Sequence, residues 1–167
     1  MIDIRLLEPE DAESYKNLRL ESLLNSPAAF SASYDEVQAD SIETYKVMFQ
    51  SENSYTFGAF DADELIGVVT LERETKKKTG HRTMIWGLYV TPYNREIGTG
   101  KKLMHTVIDC AKSLEGVEQI FVSVIIKRGT SERLFYALGF VPLGRHKKAV
   151  KLGSRYYDEE YMVMTLS

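Results

Sequence analysis

A chain of 167 residues, 44% hydrophobic and 27% charged, suits a single folded domain over residues 1–167 that buries roughly two-thirds of its unfolded-chain surface. No apolar stretch approaches the length of a bilayer span, and a formal net charge of −3 comes without the basic stripe of a nucleic-acid binder, which argues against both membrane and nucleic acid as partners. The acidic balance mildly favours cationic small partners.

The opening residues 1–11, with Asp3, Glu8, Glu10 and Asp11 against Arg5 alone, are acidic where a secretory leader would be basic and then apolar, which predicts a cytoplasmic protein. Residues 2–7 read as a strand. Pro9 then opens a helix whose apolar side is Ala12, Tyr15, Leu18, Leu20, Leu23 and Leu24, and Ser26-Pro27 stops it. Residues 28–34 read as a small-residue loop holding Phe30 and Tyr34. Asp40 followed by Glu43 predicts the cap of a short second helix with Ile42, Tyr45 and Phe49 on one side, so two helices precede the main sheet.

Residues 55–60 and 65–73 form a predicted hairpin around the acidic turn Asp61-Ala62-Asp63-Glu64. Lys76-Lys77-Lys78 beside Thr79-Gly80 reads as a solvated loop tip. Residues 82–90 follow as a central strand, apolar on both faces toward its end. A helix over 98–114 comes next, with Leu103, Val107, Ile108 and Ala111 inward and Gly116 just past its end. The lone Cys110 has an apolar helical setting and excludes an internal disulfide; it reads as a bystander thiol. Residues 119–126 are a β-branched strand, so strand, helix and strand predict a parallel pair with a right-handed crossover. A short helix over 131–138 ends at Gly139, and two last strands flank Leu152-Gly153-Ser154. The expected fold is α/β (α+β): a mixed, mostly antiparallel sheet of about seven strands, helices on both faces, and one parallel βαβ unit.

Between the central strand and the helix lies Arg95-Glu96-Ile97-Gly98-Thr99-Gly100. Its two glycines let the backbone pass close to a bulky anion, the N–H groups of a first helical turn have no partner in the helix, and that end of the dipole is positive. The segment reads as a phosphate socket. Gly98-Thr99-Gly100-Lys101-Lys102 has one residue between its glycines and no following hydroxyl, which excludes a P-loop, and Leu103 stands where a dinucleotide fingerprint wants a third small residue. His81, His105 and His146 are widely spaced, without carboxylates at ligand intervals, so no metal is expected.

Leu88-Tyr89-Val90-Thr91-Pro92, then Arg95-x-x-Gly98-x-Gly100-Lys101-Lys102-Leu103, then Leu134-Phe135-Tyr136-Ala137-Leu138-Gly139-Phe140 resembles the ordered signature of the GNAT superfamily of acetyl-CoA-dependent N-acetyltransferases, over essentially the whole chain. The resemblance implies that main-chain N–H groups of Arg95, Glu96, Ile97, Gly98, Thr99, Gly100 and Lys101 bind the coenzyme A pyrophosphate. It also implies that Leu88, Tyr89 and Val90 pair through their backbone with the pantetheine arm, with one N–H polarising the thioester carbonyl. Arg128 stands where many relatives have asparagine, within reach of a phosphate, and Ser131 caps the next helix or touches the cosubstrate.

The implied reaction is direct attack of a primary amine on acetyl-CoA in a ternary complex, with no metal. The amine belongs to a small molecule of bacterial type, polyamines among them, or to a protein. It needs a base, for which the candidates are Glu72 and the run Asp158-Glu159-Glu160. Many relatives place an acid tyrosine where this chain has Phe135; Tyr136 is displaced by one residue, about 100° around a helix. Either Tyr136 substitutes as the acid, with Phe135 left in contact with the cosubstrate, or solvent protonates the thiolate. The alternative function, supported by Phe135, is a noncatalytic acyl-CoA-binding or sensing module. Phe30, Tyr34 and Tyr156 fall on segments that border the acceptor groove in similar folds, and late strands that pair across chains in such domains leave a homodimer open.

Overall fold

The computed structural model describes residues 1–95, 98–127 and 132–166. In chain order it holds β1 (Ile2–Leu6), α1 (Ala12–Asn25), α2 (Tyr34–Ala39), α3 (Ile42–Phe49), β2 (Ser54–Asp61), β3 (Glu64–Arg73) and β4 (Arg82–Val90). Then come α4 (Thr99–Ser113), β5 (Gln119–Ile126), α5 (Glu132–Leu138), β6 (Val141–Leu152) and β7 (Arg155–Thr165). The strands make one seven-stranded sheet in the order β1-β2-β3-β4-β5-β7-β6, antiparallel throughout except for the parallel β4–β5 pair that α4 connects. This is the expected fold class.

Local chemistry sets the entry to each leading helix. Pro9–Asp11 forms a 3-10 turn ahead of α1, where the Asp11 carboxylate accepts the Glu8 N–H at 2.8 Å and two N–H groups of Arg5 at 2.8 and 3.1 Å. Three helices precede the main sheet, not two. The additional one is α2, opened by a reciprocal cap: Ser33 Oγ accepts the Glu36 N–H at 3.2 Å and Glu36 Oε1 accepts the Ser33 N–H at 3.0 Å. The cap of α3 also differs from expectation. Ser41, not Asp40, holds the Thr44 N–H, and Asp40 instead ends α2 and accepts the Tyr45 hydroxyl at 2.9 Å.

Two apolar layers cover the sheet. On one face Leu103, Met104, Val107, Ile108 and Ala111 of α4, with Phe135 of α5, pack on Val69, Leu71, Ile85 and Ile120. On the other, Ala12, Tyr15 and Leu18 of α1 and Tyr45 of α3 pack on Phe60, Leu65, Val68 and Tyr89. Each fully buried aliphatic side chain stabilises the fold by about 1.5–3 kcal/mol before entropy. Leu24 falls outside the buried stripe of α1 and is 68% exposed, while Ser22 is buried with its hydroxyl donating to the Arg19 carbonyl at 2.6 Å. Cys110 is half-buried, and desolvation pushes its thiol up. Among the described residues no helix is long and apolar enough to cross a membrane.

Candidate active site

The site begins where two parallel strands part. β4 and β5 pair only from Arg82↔Gln119 to Ile85↔Val122. Beyond Ile85 the register against β3 jumps, with Thr70 opposite Trp86 and Val68 opposite Tyr89, so Gly87 and Leu88 together face Val69. This is a β-bulge at Gly87, whose φ of +72° favours glycine. A Cβ there would meet nothing within 4 Å, so conformation, not space, selects the residue. The bulge bends β4 away while β5 stays with β7 through Ile125↔Glu159 and Ile126↔Asp158, which opens a wedge.

Backbone alternation decides what the wedge presents. The Thr91 N–H donates to the Ile66 carbonyl at 2.9 Å, so Thr91 faces β3 and the peptide groups of Val90 and Leu88 face the opposite way, into the wedge. The Val90 carbonyl there accepts Arg95 Nε at 2.8 Å, and the Arg95 guanidinium also lies 5.3 Å from the Tyr89 ring centre. Tyr89 sends its side chain to the α1 layer. Its hydroxyl donates to Glu21 at 2.7 Å and accepts from Asn25 at 3.1 Å, and its pKa is raised, by burial first and then by Glu21.

The wedge meets the N-terminus of α4. Gly98 caps the helix at φ +82°, and a Cβ on it would meet nothing within 4 Å. The Lys102 N–H donates to the Gly98 carbonyl at 3.0 Å, and the N–H groups of Thr99, Gly100 and Lys101 have no acceptor among the described residues. Thr99 is buried, and its hydroxyl has no partner among the described residues. No acidic residue sits in that first turn, so none of the helix's own opening residues offsets the positive end of the dipole. Glu96, Ile97, Arg128 and Ser131 lie outside the described residues.

Together these elements enclose a cleft of about 490 Å³, walled by residues 86–90 of β4, residues 122–125 of β5, and Phe135. Arg19 of α1 and the segment from Ala29 to Ala32 close it on one side, and Glu159 of β7 reaches it on another. Phe135 is buried edge-on against Phe140 at 5.8 Å. Tyr136 is not part of the lining. It is 42% exposed, and its hydroxyl donates to Glu160 at 3.2 Å, where Arg145 also arrives at 3.3 Å. Desolvation, then the Glu160 charge, raises the Tyr136 pKa.

Glu72 is exposed on β3, opposite Ser54 and Met84, and is also outside the lining. Of the acidic run on β7, Glu159 lines the cleft and accepts the Tyr161 hydroxyl at 2.9 Å. Of the three aromatics expected at the acceptor groove, Phe30 lines the cleft, while Tyr34 and Tyr156 are not among the lining residues. Arg19 and Trp86 went unread in the sequence as site residues. Arg19 carries no motif, but Trp86 precedes an isolated glycine in a strand pattern, which is a bulge signal.

Residues 4–161 match the family described as the acetyltransferase (GNAT) domain. A probable acetyltransferase from Staphylococcus epidermidis is 26% identical, with both chains covered over 100% and a TM-score of 0.81. An acetyltransferase of the GNAT family from Streptococcus pneumoniae shares the fold at a TM-score of 0.91 and 19% identity, covering 99% of this chain and 100% of that one. The fold also recurs in yncA, a candidate acetyltransferase from Salmonella typhimurium solved with its cofactor acetyl-CoA, at a TM-score of 0.85 and 16% identity over 100% of this chain and 95% of that one. No curated protein matches the sequence. With nearly its whole length inside the family match and the strand parting of β4 and β5 in place, this chain belongs to the GNAT acetyltransferases.

Proposed function

We propose that the protein transfers the acetyl group of acetyl-CoA to a primary amine of a small molecule. The observation that carries the reading is the continuity of the wedge: main-chain groups of Leu88 and Val90 face a gap that ends on the N–H groups of Thr99, Gly100 and Lys101, which have no acceptor among the described residues. The residues fit the cosubstrate. An open Gly98, a Thr99 hydroxyl without a partner among the described residues and a positive helix end suit a diphosphate, and a strand edge suits an amide-bearing arm. Leu88, Tyr89, Val90, Arg95, Gly98, Thr99, Gly100, Lys101 and Phe135 form this half of the site, with Tyr89 and Phe135 acting as walls.

Acetyl-CoA, when bound, supplies a thioester carbonyl open to a free amine. The protein removes the proton from the incoming ammonium, and Glu159 is the carboxylate placed to do so, held by the Tyr161 hydroxyl at 2.9 Å. At the α5 end the wall is the apolar ring of Phe135, so protonation there falls to water. A noncatalytic acyl-CoA module is the second reading, favoured by that same ring.

Calorimetry with CoA and a thiol-release assay with an amine panel test the proposal. Saturable CoA binding together with amine-dependent thiol release is the expected result. Binding without turnover of any small-molecule or peptide amine selects the module, and no CoA binding rejects both.

A further inference from the structure

We infer that the acceptor amine also carries a carboxylate, as an amino acid does, and that Arg19 is the residue that selects it. The inference rests on the acetyl-transfer reading and names its substrate class.

Arg19 is half-buried on α1 and lines the cleft, with its guanidinium 5.6 Å from the Trp86 ring centre. Arg5, Arg82 and Arg145 each hold a carboxylate, Asp11, Glu74 and Glu160 respectively. Among the described residues Arg19 holds none. Its charge is therefore partly withdrawn from water and turned toward the cleft without an internal anion. Beneath it, Trp86 Nε1 is a second donor, buried and without an acceptor among the described residues. The Ser31 hydroxyl lines the same side.

Glu159 reaches the cleft from β7 as the one carboxylate among the described lining residues; of the three lining cations, Arg95 is bound to the Val90 carbonyl and Lys127 follows the end of β5, which leaves Arg19 and Glu159 as the pair. A zwitterion matches that pair: its carboxylate engages the Arg19 guanidinium, while its ammonium approaches Glu159 and gives up the proton that precedes transfer. The carboxylate itself takes no part in the reaction. A polyamine matches poorly, because its second cation meets Arg19. Arg19 is thus a specificity-determining residue.

The test sets each α-amino acid, β-alanine and γ-aminobutyrate against its own amide, alongside diamines. Thiol release gives kcat/KM, and calorimetry gives binding to the protein–CoA complex. The best acid should exceed its amide by at least about tenfold in both readouts. In Arg19→Gln that ratio should fall to about twofold or less, mainly through KM, and Arg19→Lys should keep part of it. Amides or diamines equal to or better than acids in the wild-type protein overturn the inference. So does an Arg19→Gln protein that binds CoA and keeps the preference. Loss of turnover with every amine overturns the acetyl-transfer reading instead, and calorimetry on the CoA complex still decides whether acids are preferred over amides.

Discussion

Glu159, Glu72 and Tyr136 show how one residue's address outweighs its chemistry. All three carry groups able to move a proton, yet only Glu159 reaches the cleft. A general base contributes about 10²–10⁴-fold when it is within hydrogen-bond reach of the proton it takes. Glu159→Gln should therefore lower kcat at least about 100-fold while CoA affinity by calorimetry stays within about twofold. Glu72→Gln, exposed and away from the lining, should leave steady-state rates within about twofold. Tyr136→Phe should change kcat less than about threefold, because its hydroxyl is committed to Glu160, and neither residue lines the cleft. A large loss in that variant would return the acid role to Tyr136. The offset between Phe135 and Tyr136 was legible in the sequence as a helical rotation; which of the two faces the cleft was not, since α5 packs by the edge contact of Phe135 on Phe140.

Elements whose signals are local are legible in the sequence, and those whose signals compete are not. β4, α4 and the parallel return to β5 follow from apolar periodicity and glycine placement, and the structure has them. α2 was hidden in a run of small residues although Ser33 and Glu36 spell a capping box, and Asp40 drew the cap of α3 one residue early. The Glu8–Asp11 turn that starts α1 gives a test by pH. Arg5's hydrogen bonds hold the Asp11 carboxyl below its ordinary value, against an opposing effect of burial. A depressed folded pKa contributes stability that is present above the unfolded value, near 4, and is lost as pH falls through the folded one. Asp11→Asn should thus cost about 1 kcal/mol in urea unfolding at pH 7, and the difference between the two proteins should shrink as pH falls through the folded value. At the bulge, Gly87→Ala pits a left-handed φ against an open surround. It should cost about 1–2 kcal/mol of stability if the bulge holds, and raise the CoA Kd as well if β4 flattens.

The molecule is one sheet with a core on each face, and the cleft draws on both. Phe135 and Val90 belong to the α4 core, while Tyr89 belongs to the α1 core, and β3 feeds Val69 and Leu71 to one and Leu65 and Val68 to the other. This sharing explains why Arg19 was invisible in the sequence: its helix is legible, but which side chains of α1 look into a gap between β4 and β5 depends on where the layer lands. Sharing also makes a prediction about cooperativity. The single tryptophan, Trp86, sits on β4 under Arg19 of α1, so its fluorescence reports whether the α1 layer is docked, whereas far-ultraviolet circular dichroism reports the whole. A layer joined only through side chains could detach first, but here every strand from β2 to β4 is sandwiched, and exposing one face removes support from the other. The two signals should therefore lose structure in one coincident denaturant transition. Saturating CoA should raise both midpoints together, by about 2.7 kcal/mol of stability at a hundredfold excess over its Kd. Fluorescence that changes ahead of circular dichroism, with only the later transition shifted by CoA, would instead make the acceptor-facing layer a separate cooperative unit docked on a stable CoA-binding sheet.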